Sequence, residues 1–359
     1  NNTNNVFPCF INQPLVLKDT NPNGIDYYIT CDVSVNNELI IEPGVSIEFK
    51  ANAGFRIENS GRITAVGDST KPIIFKGVAN TASWKGISIF SNDVRNELSY
   101  VNVEYAGDMV NFSSTLAGYS YDEKSAIAVY GRLNMSNCKI IGSGGHGISF
   151  SSESNSNLFR HNSIENSELF PILTYAGIIN KLDLDSQKFV NNKKNYIALF
   201  SFSSNEVVEN DVTIKKTTIP YLAYRSLYFE DNVNIQAGVI IKVDNNQGIG
   251  INNTGILTIS GNVDDEVIIE GLENMPAFWK GLYIRTTNNV FNYLIVKNGG
   301  SEEYYASQKS NIVLSATEQP SLTLNNCKSI DYEGCALAYP INTSTVINNS
   351  PEITDICTY

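Results

Sequence analysis

The chain has 359 residues, 42% of them hydrophobic and 17% charged, which is enough apolar material for a packed core and excludes global disorder. Its 25 basic and 37 acidic residues give a net charge of −12. Such a surface repels nucleic-acid phosphates and anionic lipid, so no nucleic-acid partner is expected. No apolar run approaches the roughly 18 residues of a membrane helix, so no transmembrane segment is expected.

The chain opens on Asn1-Asn2-Thr3-Asn4-Asn5, with no charged or apolar leader. It reads as a polar tether following a removed signal, with residues 1–26 forming tether and N-terminal cap. Beyond it, β-branched and aromatic residues alternate with Ser, Thr and the 46 Asn residues, which is strand-and-turn chemistry. In chain order the apolar pairs Ile47/Phe49, Ile63/Ala65, Ile73/Phe75, Ile87/Ile89, Val101/Val103, Ile127/Val129 and Leu133/Met135 are spaced two apart. Each pair turns both side chains to one face of a short strand. Gly, Asn, Asp or Ser separates the pairs, and no segment shows a helical period.

The pattern recurs. Gly44-Val45-Ser46-Ile47-Glu48-Phe49 matches Gly238-Val239-Ile240-Ile241-Lys242-Val243. Trp84-Lys85-Gly86-Ile87 matches Trp279-Lys280-Gly281-Leu282, and Tyr100-Val101-Asn102-Val103 matches Tyr293-Leu294-Ile295-Val296. Asn137-Cys138-Lys139 returns as Asn326-Cys327-Lys328. Residues 27–173 and 221–354 therefore read as two copies of one plan, the first carried with its junction coils over 27–205 and the second over 206–359. Strands this short with turns this tight suit a solenoid whose coils of about 20–25 residues stack about 4.8 Å apart. Inward positions should form apolar and aromatic ladders, and outward positions ladders of Asn and Ser.

Ile41-Glu42-Pro43-Gly44-Val45-Ser46-Ile47, Gly61-Arg62-Ile63-Thr64-Ala65-Val66-Gly67, Trp84-Lys85-Gly86-Ile87 and Val103-Glu104-Tyr105-Ala106-Gly107 together resemble the right-handed parallel β-helix proteins of the pectin-lyase-like class. That class includes many surface lipoproteins of Gram-negative bacteria. The resemblance implies an all-β, right-handed parallel β-helix and an exported protein, outer-membrane-anchored at the cell surface. It leaves function open, since the class spans lyases, hydrolases and adhesins.

Cys9 and Cys31, like Cys335 and Cys357, are separated by about one coil, which would bring each pair within disulfide reach on neighbouring turns. Cys138 and Cys327 occupy matching inward contexts and read as core thiols. Trp84 and Trp279 read as packing residues.

Gly144-Gly145-His146-Gly147-Ile148-Ser149 resembles the His-containing string of pectin-hydrolysing β-helix enzymes. The accompanying Asn-Thr-Asp and Arg-Ile-Lys strings are absent, no Asp-Asp lies upstream of His146, and the second copy has Cys335 at the His146 position. His146 is therefore a weak catalytic candidate, and His161 has no partner motif.

Two loops interrupt the coils at equivalent places, where solenoids present binding residues. One spans 107–124 and carries Tyr119, Tyr121, Asp122 and Glu123; the other spans 299–309 and carries Glu302, Tyr304 and Tyr305. Tyrosine beside carboxylate stacks on a sugar ring while accepting its hydroxyl hydrogens, so these are the ligand-binding candidates. With about eight coils between them, about 40 Å along the axis, the loops would act independently. In Lys181-Leu182-Asp183-Leu184-Asp185 an alternating strand would place Asp183 and Asp185 about 7 Å apart on its outer face. That spacing suits an inverting glycosidase or a Ca²⁺ ion, and equally an ordinary amphipathic strand. No metal or cofactor motif is otherwise present.

The reading is of a monomeric, exported β-helix protein that binds neutral glycan or another cell-surface component without catalysis. The alternatives are a polysaccharide hydrolase or lyase, with Asp183, Asp185, Glu123 and His146 as weak catalytic candidates, and a structural spacer.

Overall fold

The fold was taken from a computed structural model, which describes residues 7–78, 84–107, 124–201, 207–303 and 308–359. The chain forms two compact units, Asn1–Thr174 with Lys181–Ile197, and Tyr175–Asn180 with Ala198–Tyr359.

In the first unit the chain visits three faces in fixed order. Asp32–Val35, Glu38–Ile41 and Ser46–Phe49 make one coil, and Gly54–Ile57, Arg62–Val66 and Ile73–Gly77 make the next. Each strand pairs in parallel with its counterpart one coil on, Val33 opposite Phe55, Leu39 opposite Ile63 and Ile47 opposite Phe75. Parallel neighbours need a long return connection, and here the rest of the coil supplies it. The result is a parallel β-helix. The second unit repeats the arrangement: Leu227–Phe229, Val233–Gln236 and Ile240–Val243 pair in parallel with Ile249–Ile251, Leu257–Ser260 and Val267–Gly271.

All seven apolar pairs read from the sequence are buried. Val33, Phe55, Ile87, Ile127, Ile148 and Ile172 stack as one inward column, each contributing about 1.5–3 kcal/mol by leaving water. The aromatic residues depart from simple rows. Register places Phe75 opposite Ile47 rather than Phe49, so Phe49, Phe55 and Phe75 meet edge to face across the core. Asn325 does form an outward ladder, donating to Asn292 and accepting from Asn349, both at 2.9 Å.

The matched stretches make matched contacts. Trp84 donates its indole N–H to the Glu104 carbonyl at 2.9 Å, and Trp279 donates to the Lys297 carbonyl at 2.6 Å. Both tryptophans are fully buried. The glycine two residues on is obligatory. Gly86 and Gly281 have φ of 98° and 108°, and a Cβ would lie 2.1 Å from the Ala126 carbonyl oxygen or 2.4 Å from that of Ser310. One outward row carries opposite signs in the two units. It reads Glu48, Lys76, Glu104 in the first and Lys242, Glu270, Lys297 in the second. Glu270 pairs with Lys242 at 2.7 Å and with Lys297 at 3.2 Å.

Disulfides join Cys9 to Cys31 and Cys335 to Cys357, each with a Cα separation of 6.0 Å, while Cys138 and Cys327 are free and buried. No helix among the described residues is long and apolar enough to cross a membrane.

Candidate functional site

The corner between the second and third faces of the first unit is very short. Strand Glu97–Ser99 ends and Val101–Glu104 begins with only Tyr100 between them. A turn this sharp needs positive φ, and Tyr100 adopts it at 51°. One coil on, Asn137 takes the same corner at φ 53°, and His161 follows at 55°. Asparagine enters this region readily, whereas for a bulky side chain it is an outlier costing about 1–2 kcal/mol. The corner is held by backbone bonds: Tyr100 N–H donates to the Ser136 carbonyl at 3.1 Å, and its own carbonyl accepts from Ile73 at 3.0 Å.

These corner residues line an open groove of about 350 Å³. Tyr100, Asn137 and His161 form one side, Asn102, Lys139 and Ser163 the floor, and the turn bearing Asp68 and Pro72 the end. Asp68 is committed to that turn. Its carboxylate accepts the Thr70 hydroxyl at 2.6 Å and the amides of Thr70 and Lys71 at 2.7 and 2.9 Å. Those bonds, the Thr70 hydroxyl first, hold its pKa below the usual carboxylate range. Beneath the corner, the Cys138 thiol contacts the carbonyls of Leu98 and Ser136, each at 3.3 Å, and burial pushes its pKa up to about 12. It is a structural thiol rather than a nucleophile.

The second unit builds a smaller groove around the matched Tyr293, Asn326, Cys327 and Lys328. Tyr293 sits between Asn289–Asn292 and Leu294–Lys297 at φ 48°, and Asn326 takes the next corner at φ 53°. Tyr293 donates to the Asn325 carbonyl at 2.9 Å and accepts from Val267 at 3.0 Å. The Cys327 thiol contacts the Phe291 carbonyl at 3.3 Å. This groove measures about 210 Å³ and is lined by Tyr293, Asn326, Lys328, Val263, Glu266 and the Pro351-Glu352 turn. A further open groove in this unit, about 360 Å³, lies over Thr213, Asn234 and Thr258 and has no aromatic lining among the described residues.

The sequence candidates lie elsewhere. Tyr119, Tyr121, Asp122, Glu123, Tyr304 and Tyr305 fall outside the described residues. Glu302 is exposed and pairs with Lys280 at 2.7 Å. His146 is 2% exposed. Its Nδ1 accepts the Phe170 N–H at 3.3 Å and its ring stacks on Phe170, so it is packed into the structure.

The strand expected over 181–185 is absent. Residues Ala176–Lys181 and Leu184–Ser186 are 3₁₀ segments. Gln187 reaches back to donate to the Asp183 carbonyl at 2.6 Å, which closes the chain into a turn. Leu182 and Leu184 are buried and Asp183 and Asp185 exposed, as alternation suggested, but the 7 Å spacing derived from a strand does not apply. Asp264-Asp265-Glu266 is a polar turn, with the Asn262 side chain accepting the amides of Asp264 and Asp265, both at 3.0 Å. Among the described residues no cluster of His, Cys, Asp or Glu is arranged to hold a metal ion.

The grooves were missed because Tyr100/Tyr293, Asn137/Asn326 and Lys139/Lys328 served only to align the copies. The available signal was that outward residues, with no core to fill, recur unchanged in both. In comparisons with known proteins, no family model and no curated protein matches this chain.

Proposed function

We propose that this is an exported, non-catalytic β-helix protein that binds neutral glycan through its two corner grooves. The carrying observation is the left-handed tyrosine, repeated in both units at a corner that asparagine takes one coil later. Backbone strain at a surface position is retained where the side chain has a task. Tyr100 and Tyr293 offer ring faces for a sugar, and Asn102, Asn137 and Asn326 offer amides for its hydroxyls. Among the described residues Asp68 is the only carboxylate lining the first groove, and it is tied into its turn, whereas glycoside hydrolysis takes two. Disulfides near both chain ends support an oxidising, extracellular setting.

The test is a neutral-glycan array followed by calorimetric titration. Tyr100→Asn and Tyr293→Asn keep the corner geometry and remove the ring, and each should abolish binding at its own groove. Array silence would leave the structural-spacer reading.

One feature favours the enzymatic alternative in the second unit, where Glu266 and Glu352 lie 3.2 and 3.9 Å from Lys328. Release of reducing ends from polysaccharide, lost in Glu266→Gln, would establish hydrolysis.

A further inference from the structure

The two grooves share their corner but differ in one charge relationship. In the second unit the Lys328 ammonium is taken by the protein itself, with Glu266 at 3.2 Å and Glu352 at 3.9 Å. The position matching Glu266 in the first unit is Pro72, which lines the groove without a charge. Lys139, the match of Lys328, makes no ion pair among the described residues and is exposed in the groove floor. The volumes follow the same difference, about 350 Å³ against about 210 Å³ with the Pro351-Glu352 turn in the lining of the second groove.

From this we infer that the first groove is specific for a sugar bearing a single carboxylate, bound on Lys139 beside the Tyr100 ring, and that the second groove is blocked to that ligand by its own glutamates. Glu266 and Glu352 show what the lysine at this corner takes, namely carboxylate oxygen. A net charge of −12 opposes a polyanion, so the ligand is an otherwise neutral glycan with one acidic unit rather than a polyuronate. A charge-assisted hydrogen bond is about twice as strong as a neutral one, which makes Lys139 the selecting residue. The inference rests on the glycan-binding reading and adds to it a ligand class and a stoichiometry.

The experiment is an array of neutral glycans printed beside their sialylated counterparts, with polygalacturonate included. The best-bound pair is then titrated calorimetrically into the full chain. The sialylated member should bind about tenfold more tightly than its neutral partner, at one site per chain, and with affinity that falls as salt rises. Lys139→Gln should erase the salt dependence and bring the ratio of sialylated to neutral affinity down to about one. Pro72→Glu, which installs the second unit's own residue, should do the same. Glu266→Gln combined with Glu352→Gln should add a second site for the sialylated glycan.

Equal affinity for the pair in the wild type, a preference that survives Lys139→Gln, or tighter binding of polygalacturonate would overturn the inference. Equal affinity or a surviving preference would leave the neutral-glycan reading standing, because the neutral partner still binds, whereas tighter binding of polygalacturonate would overturn that reading as well. Silence toward every glycan would remove both.

Discussion

Trp84 lies flat against Phe49 in the core of the first unit, ring centroids 4.1 Å apart and planes 10° from parallel. The indole fills the corner where the strand Gly86–Ile89 begins, and its N–H is satisfied by the Glu104 carbonyl. Trp84→Ala removes a large buried ring and strands that carbonyl at once. It should cost about 3–5 kcal/mol in urea unfolding. A cost below about 1 kcal/mol would mean that the ring does not organise this coil.

The two disulfides close loops between residues 22 apart, Cys9–Cys31 and Cys335–Cys357. Chain entropy assigns each about 3 kcal/mol. Replacing either pair with serine should lower the melting temperature and raise amide exchange mainly around the coil it ties. Uniform loss of protection across the chain would instead show that the staple holds the whole fold.

Cys138 and Cys327 should resist thiol reagents in the native protein, and both should react once it unfolds. Burial raises both pKa values, that of Cys138 to about 12 from 9.0. A raised pKa on a thiol means that folding favours the protonated form. The stability it contributes is complete below pH 9.0 and is lost as pH rises toward about 12. Cys138→Ala should flatten that alkaline limb in pH-dependent unfolding. Fast labelling of native protein would refute the assignment.

Acid should destabilise the fold through two carboxylates held low. The hydrogen bond from Arg285 is the main cause of a Glu318 pKa of about 2, and that from Arg95 the main cause of about 2 at Asp93. Folding favours the ionised form in both, so their contribution is present above the ordinary values of 4.5 and 3.8 and is lost as pH falls toward about 2. Solvent screening keeps each effect small. Glu318→Gln should shallow the acid limb of stability measured between pH 5 and pH 2, and an unchanged limb would assign acid sensitivity to other groups.

Much of the fold was legible because burial in a half-exposed strand leaves a period of two, visible in pairs such as Ile47/Phe49 and Ile73/Phe75. The grooves were less legible. Tyr100 and Asn137 stand at one-residue corners, where an outward residue that turns the chain and one that displays a ring look alike in sequence. The Asp183/Asp185 geometry failed for a different reason. Alternation reported correctly which side chains face inward, but the turn is set by the Gln187 amide closing on the Asp183 carbonyl, a contact that hydropathy does not encode.

The inverted outward row has a wider meaning. Glu48, Lys76 and Glu104 in one unit and Lys242, Glu270 and Lys297 in the other show that attraction between adjacent rungs depends on the product of their charges. Reversing every member leaves the sign of that product as it was. The exterior can exchange polarity as a set while the interior scaffold is untouched, which frees the electrostatic character of each unit to diverge.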